Sequence, residues 1–105
     1  VKEDFITIYN SVLVDFSADT LAGIDTLEVS FTNLSTGDFN TYYWEFGDDS
    51  TSTEQNPTHI YSVNSGFTEH YTVSLTISGD GGTVTEIKDD YILLSSFLKK
   101  LTLFK

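Results

Sequence analysis

Two adjacent carboxylates, Asp48 and Asp49, follow an aromatic run and a glycine in the segment "YYWEFGDDS". Such carboxylates could ligate calcium, or act as acid and base if held across a cleft. Calcium takes about six to eight oxygen ligands, and nothing nearby in the sequence reproduces a dense ligand loop. A carboxylate after a glycine can also shape a turn by accepting backbone N–H bonds. We therefore interpret the pair chiefly as turn residues, with calcium binding as the alternative.

The two histidines, His59 and His70, are the other side chains that could do chemistry. There is no cysteine, which excludes disulfides, thiol catalysis and zinc–thiolate sites. Neither histidine belongs to an HxH or HExxH pattern, and no nucleophile motif of a catalytic triad is present. The sequence therefore predicts a protein that is not an enzyme, with no catalytic residues and no cofactor apart from the calcium alternative.

The net charge of the chain limits the classes of partner that we expect. Sixteen acidic residues against five basic ones give a formal net charge of −11. This surface repels phosphate backbones and anionic membranes, so we expect no nucleic acid partner. No apolar run approaches the ~20 residues of a membrane helix, so we expect no membrane insertion. The chain begins with Val1 rather than Met, which we interpret as a sign that it is a piece of a longer protein.

Alternation of apolar and polar residues dominates the chain and predicts strands. It is clear in "LEVSFTN", in "YYWEF" and in "YTVSLTI", and each run is bounded by turn residues. "GDGG" at Gly79–Gly82 predicts a hairpin tip between two strands. Within "YYWEF", Trp44 is expected in the core and Tyr43 on the opposite face. Several short, closely spaced strands favour an all-β sandwich.

The two ends of the chain resemble each other. "VKEDFITI" at Val1–Ile8 aligns with "IKDDYILL" at Ile87–Leu94, with identities at Lys2, Asp4 and Ile6. The offset of 86 residues is close to the ~100 residues of one sandwich domain. The simplest account is a tandem array, in which residues 1–8 are the last strand of a preceding repeat. Chance similarity is the alternative.

The segment "YYWEFGDDSTSTEQNPTHIY" resembles the signature of the PKD (polycystic kidney disease) domain family, W-D-F-G-D-G-S followed by N-P-x-H-x-Y and G-x-Y-x-V-x-L. The resemblance covers about residues 12–94. It implies an immunoglobulin-like sandwich of about seven strands in two sheets, usually extracellular, often repeated, or acting as a spacer beside enzymes and carbohydrate-binding modules. The motif residues with an implied structural role are Trp44, Phe46, Gly47, Asp48, Pro57, His59, Tyr61 and Tyr71.

The sequence departs from that signature at two places. Asp49 stands where the family has a glycine, and Asp tolerates left-handed backbone better than most residues. Four residues, "FTEH" with His70 at their end, lie where the family has one, and we expect a lengthened loop there. Separately, "NLS" makes Asn33 a candidate glycosylation acceptor.

These observations predict three segments. Residues 1–10 are the last strand of a preceding repeat, or a donated strand, plus linker; residues 11–94 are the PKD-like domain. Residues 95–105 are a linker or the start of a next unit, and could pair with a neighbour as a strand. The predicted function is a non-catalytic structural module, a spacer or filament-forming repeat of a cell-surface or secreted protein, whose partners are copies of itself or adjacent domains. The alternative is an accessory module of a secreted hydrolase that binds carbohydrate or protein.

Overall fold

The computed structural model describes residues 8–63 and 66–96, and within them every regular element is a β-strand. The strands are β1 (Phe16–Ala18), β2 (Ala22–Ile24), β3 (Thr26–Asn33), β4 (Thr41–Glu45), β5 (Thr51–Ser52), β6 (Thr58–Ser62), β7 (Thr68–Gly79) and β8 (Gly82–Ser95). No helix in this part of the chain is long and apolar enough to cross a membrane. Of the predicted segments 1–10 and 95–105, residues 1–7 and 97–105 lie outside the described residues. The proposed domain boundaries stay predictions.

The strands form two packed layers. One layer contains β1, β3 and β6, and the other contains β5, β4, β7, β8 and β2. The short strand β2 joins them at one edge, because it pairs in parallel with β8 and then turns at Asp25 to meet β3. Asp25 makes this turn with a φ of 68°, a left-handed conformation that Asp tolerates. The prediction of an all-β, immunoglobulin-like sandwich is confirmed.

The core lies between the layers and is built from the inward positions of the alternating strands. Val73, Leu75 and Ile77 of β7 are fully buried, as the alternation in "YTVSLTI" predicts. The opposite layer contributes Val29 and Phe31 of β3, which are also buried. Aromatic rings fill the centre, where Trp44 contacts Phe16 and Phe31 at ring-centroid distances of 5.1 and 5.4 Å.

The long hairpin of β7 and β8 is the largest element of the fold. Its tip pairs Gly79 with Gly82, which confirms the hairpin predicted from "GDGG". Between the pairs Tyr71–Ile92 and Val73–Lys88 the register shifts, because β8 carries extra residues at a β-bulge. Asp90 lies in that bulge with a φ of 50°, and its backbone N–H donates to Thr72 Oγ1 at 3.1 Å.

The expectation of a lengthened loop at "FTEH" is wrong for most of that segment. β7 begins at Thr68, and His70 pairs with Leu93 inside the sheet. The reason is that the opposite strand β8 extends to Ser95, so the extra residues gain backbone hydrogen bonds by prolonging the hairpin. His70 is exposed there and, among the described residues, belongs to no group that could hold a metal ion.

The two ends of the described chain lie at opposite ends of the sandwich. At the end we call the entrance pole, Asn10 is held beside the β7–β8 tip, because Asp38 N–H donates to its carbonyl and Gly81 N–H donates to Asp38 O. At the other end, the exit pole, Ser96 N–H donates to Phe67 O and Asp25 N–H donates to Ser95 O. Since β7 runs between the same two poles in 12 residues without the extra residues of the bulge, the poles are about 40 Å apart at ~3.3 Å per residue.

Replacement of Leu75 by alanine tests whether the β7 stripe is the core of the fold. The side chain is fully buried, so Leu75→Ala should lower the free energy of unfolding by about 2–5 kcal/mol through lost burial and a residual cavity. Urea unfolding followed by the fluorescence of Trp44 measures the change. Ile87→Ala on the neighbouring strand is the matched control, because Ile87 is 60% exposed and its loss should cost under about 0.5 kcal/mol. Equal losses in both variants would contradict the assigned core.

Candidate functional site

The acidic turn, Gly47–Ser50, connects β4 to β5, and its geometry depends on local backbone chemistry. Gly47 has a φ of 93°, and a Cβ on it would lie 2.5 Å from Thr72 O, so glycine is required there. Asp48 Oδ1 accepts the N–H of Ser50 at 3.2 Å, the bond of an Asx turn. Phe46 N–H donates to Ser50 O at 3.1 Å and closes the turn.

Asp49 adopts the left-handed conformation, with a φ of 71°. This explains how aspartate can occupy a position where the family signature has glycine, because Asp pays less for this conformation than most side chains do. Asp49 is exposed and shares a shallow depression with Glu45 and Thr51. The residue therefore supplies backbone shape to the turn.

The second carboxylate oxygen of Asp48 faces a histidine rather than open solvent. Asp48 Oδ2 lies 2.7 Å from His59 Nε2, and the two side chains are 25% and 15% exposed. The His59 ring stacks on Phe46, with centroids 4.3 Å apart and planes within 6° of each other. The His59 ring also makes a T-shaped contact with Tyr61, with ring centroids 4.6 Å apart and ring planes at 90°. Ring packing thus holds the histidine in one orientation against the acidic turn.

Tyr61 ties this cluster to the core. Its ring is fully buried, and its hydroxyl donates to Phe46 O at 2.8 Å. Burial raises the pKa of the Tyr61 phenol above its usual value, and the negative charge of Asp48 and the neighbouring Tyr71 add to the shift. The residues between the turn and β6 are also fastened, because Trp44 Nε1–H donates to Glu54 O at 2.8 Å.

The predicted motif residues therefore come together, but as a packed joint between the layers. Trp44, Phe46, His59 and Tyr61 form one aromatic cluster, and Asp48 lies on its edge. Pro57 is buried immediately before β6, where its carbonyl accepts the N–H of Phe31. Tyr71 stacks against Tyr61 at 4.6 Å, and burial raises the pKa of its phenol, with Glu69 and Asp48 contributing.

The arrangement offers little to calcium. Both oxygens of Asp48 already accept or face a donor within the protein, and Asp49 lies beside it on strained backbone. In residues 8–63 and 66–96, no three His, Asp or Glu side chains are grouped to hold a metal ion. Calcium binding by Asp48 and Asp49 stays a prediction, which the measurement below addresses.

Asn33, the glycosylation candidate, lies at the end of β3 and is partly exposed. Its side-chain oxygen accepts the N–H of Ser35 at 3.0 Å, and its backbone N–H donates to Asn56 Oδ1 at 2.8 Å. Asn56 thus has a structural role in tying the segment before β6 to β3. Glycosylation of Asn33 stays a prediction.

The motif reading did not anticipate Lys88, the one lysine within the described residues. Its Nζ lies 5.1 Å from the ring centroid of Phe16 and 5.6 Å from that of Tyr91. Two carboxylates flank the ammonium group, Asp15 at 3.6 Å and Glu86 at 3.7 Å. A lysine on the inward side of a strand edge, two residues before a bulge, is the sequence signal for this site. The Lys88 side chain packs over the edge of the aromatic core, and its ammonium group stays close to solvent.

Fold and site together define a non-catalytic immunoglobulin-like module. Its motif residues pack the two layers against each other and shape one turn. The chain belongs to the PKD domain family, since the family model for the PKD domain matches residues 14–93.

Two solved structures are similar to the chain. One is the PKD1 domain of Vibrio anguillarum Epp, with a TM-score of 0.61, 28% identity, and coverage of 85% of this chain and 99% of that one. The other is the PKD1 domain from the Vibrio cholerae metalloprotease PrtV, with a TM-score of 0.59, 27% identity, and coverage of 81% and 98%.

Among curated proteins, the chain is similar to Collagenase ColA of Bacillus cereus, with 42% identity over 65 residues that make up 58% of this chain. The match spans only 6% of the collagenase's length. The similarity therefore concerns one module within a much larger protein.

Substitution of each acid of the turn by glycine separates their roles. Asp49→Gly relieves the left-handed backbone and should change the free energy of unfolding by less than about 1 kcal/mol, because the strain relief is offset by a more flexible unfolded chain. Asp48→Gly removes two hydrogen-bonding oxygens and should destabilise by about 1–3 kcal/mol. Urea unfolding measures both.

The same preparation tests calcium. A ligand that binds only the folded protein raises the melting temperature with its concentration. A rise on adding calcium to the native chain that both glycine variants abolish would show that the pair is a metal site and would contradict the turn interpretation.

The raised pKa of Tyr61 predicts that the stability of the fold decreases at alkaline pH. Because its folded pKa is raised, the phenol's contribution to stability is complete below the unfolded pKa of about 10 and is lost as the pH rises beyond it. We expect stability to fall steeply from pH 10 upward, and the absorbance change of tyrosinate to include a component that appears only with unfolding. Tyr61→Phe should flatten the fall while lowering stability near neutral pH. An unchanged alkaline profile in that variant would contradict the assignment.

Proposed function

We propose that the domain is a spacer module of a larger extracellular or cell-surface protein, holding the domains on its two sides at a fixed separation. The observation that carries this is the path of the chain, which enters beside the β7–β8 tip and leaves about 40 Å away at the end of β8. A rigid sandwich with its ends at opposite poles adds its own length to the molecule. In a filament the same geometry would let copies follow one another end to end.

The pairing of β2 with β8 supports a role under tension. The two strands run in parallel, with Ala22 opposite Leu93 and Ile24 opposite Ser95. A pull on the two ends draws β2 towards the entrance pole and β8 towards the exit pole, so their hydrogen bonds are sheared together rather than opened singly. Two of these bonds are Leu93 N–H to Leu21 O at 2.8 Å and Asp25 N–H to Ser95 O at 2.7 Å.

An extracellular location fits the relatives, which are domains of a metalloprotease and a collagenase, and the acidic surface. The same relatives favour a second candidate, an accessory module of a hydrolase that binds its polymeric substrate. The surface available for that is the outer face of β4, β7 and β8, where Tyr43 is 43% exposed. On this face the hydroxyl groups of Thr76 and Thr85, and those of Ser78 and Thr83, form hydrogen bonds with each other at 2.7 Å. Fewer hydroxyl groups are therefore available to bind a sugar.

Single-molecule force measurements on the full chain test the spacer. Held at its two ends, the domain should open at a force several-fold higher than when it is held between its N-terminal end and a cysteine at the hairpin tip, Asp80→Cys. In the second geometry the force reaches the fold at Asn10 and at residue 80, which both lie at the entrance pole. The absence of native cysteine makes the attachment specific. Equal, low opening forces in the two geometries would contradict a load-bearing spacer.

Retention on immobilised polysaccharide and on collagen tests the second candidate. We expect the chain to pass through unretained. Retention that Tyr43→Ala abolishes, and that Ile60→Ala on the opposite layer leaves intact, would establish the binding module instead; Ile60 is the control because it is 60% exposed and belongs to β6.

A further inference from the structure

The structure shows what residues 87–94 do, so the sequence match between residues 1–8 and 87–94 can be compared position by position. Lys88 covers the rings of Phe16 and Tyr91, and the aligned pair is Lys2 and Phe5, again a lysine and an aromatic ring three residues apart. Each position retained in the match is therefore one that performs an identifiable task in β8.

The bulge and the core positions follow the same pattern. Asp90 adopts a φ of 50° in the bulge, and Asp4, its counterpart, is the residue type that tolerates this conformation. Ile92 and Leu94 are fully buried, and their counterparts are Ile6 and Ile8. The cation, the bulge residue and the core pair all match in register, which argues against chance similarity of the two segments.

Ile8 itself is anomalous in this unit. Its side chain is 84% exposed, whereas its counterpart Leu94 is completely buried. A β-branched apolar residue this exposed, next to Tyr9 at 49% exposure, is accounted for if it belongs to the core of another sandwich.

We propose that residues 1–8 are the bulged last strand of a preceding PKD unit, and that this unit abuts the entrance pole with no linker between them. The inference rests on the proposed spacer function and names the partner, a second unit of the same kind. The argument for direct contact is one of length. Ile8 corresponds to a residue in the core of the preceding unit, and Asn10 is already bound to Asp38 and packed against Gly81. Two residues span at most ~7 Å, so the two folded surfaces touch.

The surfaces that meet are both partly apolar. The entrance pole has a hollow of about 430 Å³ lined by Ile8, Tyr9, Asp38, Phe39, Asn40 and Asp80. The exit pole has one of about 310 Å³ beside Val63 and Phe67, and Phe67 is 56% exposed. In the tandem, the exit pole of the preceding unit covers Tyr9, and the junction is stiff because the chain has no free residue at which to bend.

The first experiment asks whether residues 1–8 encode a last strand. In the full chain, Ile87–Leu94 is replaced by the sequence of Val1–Ile8, which requires Ile87→Val, Asp89→Glu, Tyr91→Phe, Leu93→Thr and Leu94→Ile. Core volume, cation and bulge residue are preserved, so the melting temperature should stay within about 8 °C of the native value. The matched control exchanges the lysine and aspartate at positions 88 and 90 in the same chimera, and should lose a further ~10 °C or more. A chimera that unfolds, or a control equal to it, overturns the strand assignment.

The second experiment measures the junction. A tandem is made of residues 1–94 followed directly by residues 9–105, which restores the proposed spacing, and Gln55→Cys in each copy carries a spin label. The distance distribution between labels should be narrow. The matched control, with Gly-Ser-Gly-Ser inserted after residue 94, should be at least twice as broad.

Two further tandems locate the contact. Phe67→Ser in the first copy with Tyr9→Ser in the second should broaden the distribution, and Ile60→Ser should leave it unchanged; circular dichroism confirms that each copy is folded. A distribution as broad without the insert as with it overturns the stiff junction while leaving the spacer function to its own test of force. Loss of force resistance with a narrow distribution would overturn the function and leave the junction standing.

Discussion

Burial of one indole between two sheets is the constraint on which the structure depends. Trp44 is completely enclosed, its ring packs on Phe16 and Phe31, and its N–H reaches a backbone oxygen, Glu54 O. A buried indole N–H without an acceptor would cost about 1–3 kcal/mol, and the segment after the acidic turn avoids this cost by folding back so that Glu54 O accepts the bond. The turn, the short strand β5 and the approach to β6 all follow from satisfying this single group.

The acidic turn is best understood as a consequence of that packing. Gly47 must be glycine because the turn lies against the backbone of β7, and Asp48 then satisfies Ser50 N–H and His59. His59 is held by Phe46 and Tyr61, so a carboxylate, an imidazole and a phenol lie together in one packed cluster. The side chains that the sequence offered as possible metal ligands or acid–base groups therefore join the two layers.

The two ends of the module differ along its long axis, and this difference underlies the proposed spacer function. Backbone contacts at Asn10 and at Ser95–Ser96 fasten the chain at opposite poles, and the parallel strands β2 and β8 run along the line between them. Glycines at the entrance pole permit the close approach, since a Cβ on Gly81 would lie 2.1 Å from Asn10 O. The same features that make the sandwich compact make its two ends distinct.

The sequence by itself determined the strand pattern, the β7–β8 hairpin and the burial of Val73, Leu75 and Ile77, because alternation and turn residues act locally. Only the tertiary structure decided which partner each polar group found. Asp48 gained a side-chain partner only when folding brought His59, eleven residues away, within 2.7 Å of one of its oxygens. "FTEH" looked like a loop until β8 offered it a pairing edge, and Lys88 acquired a role only when Phe16, from the far end of the chain, came beneath it. Contacts between distant residues depend on how the layers stack, and no local pattern encodes that.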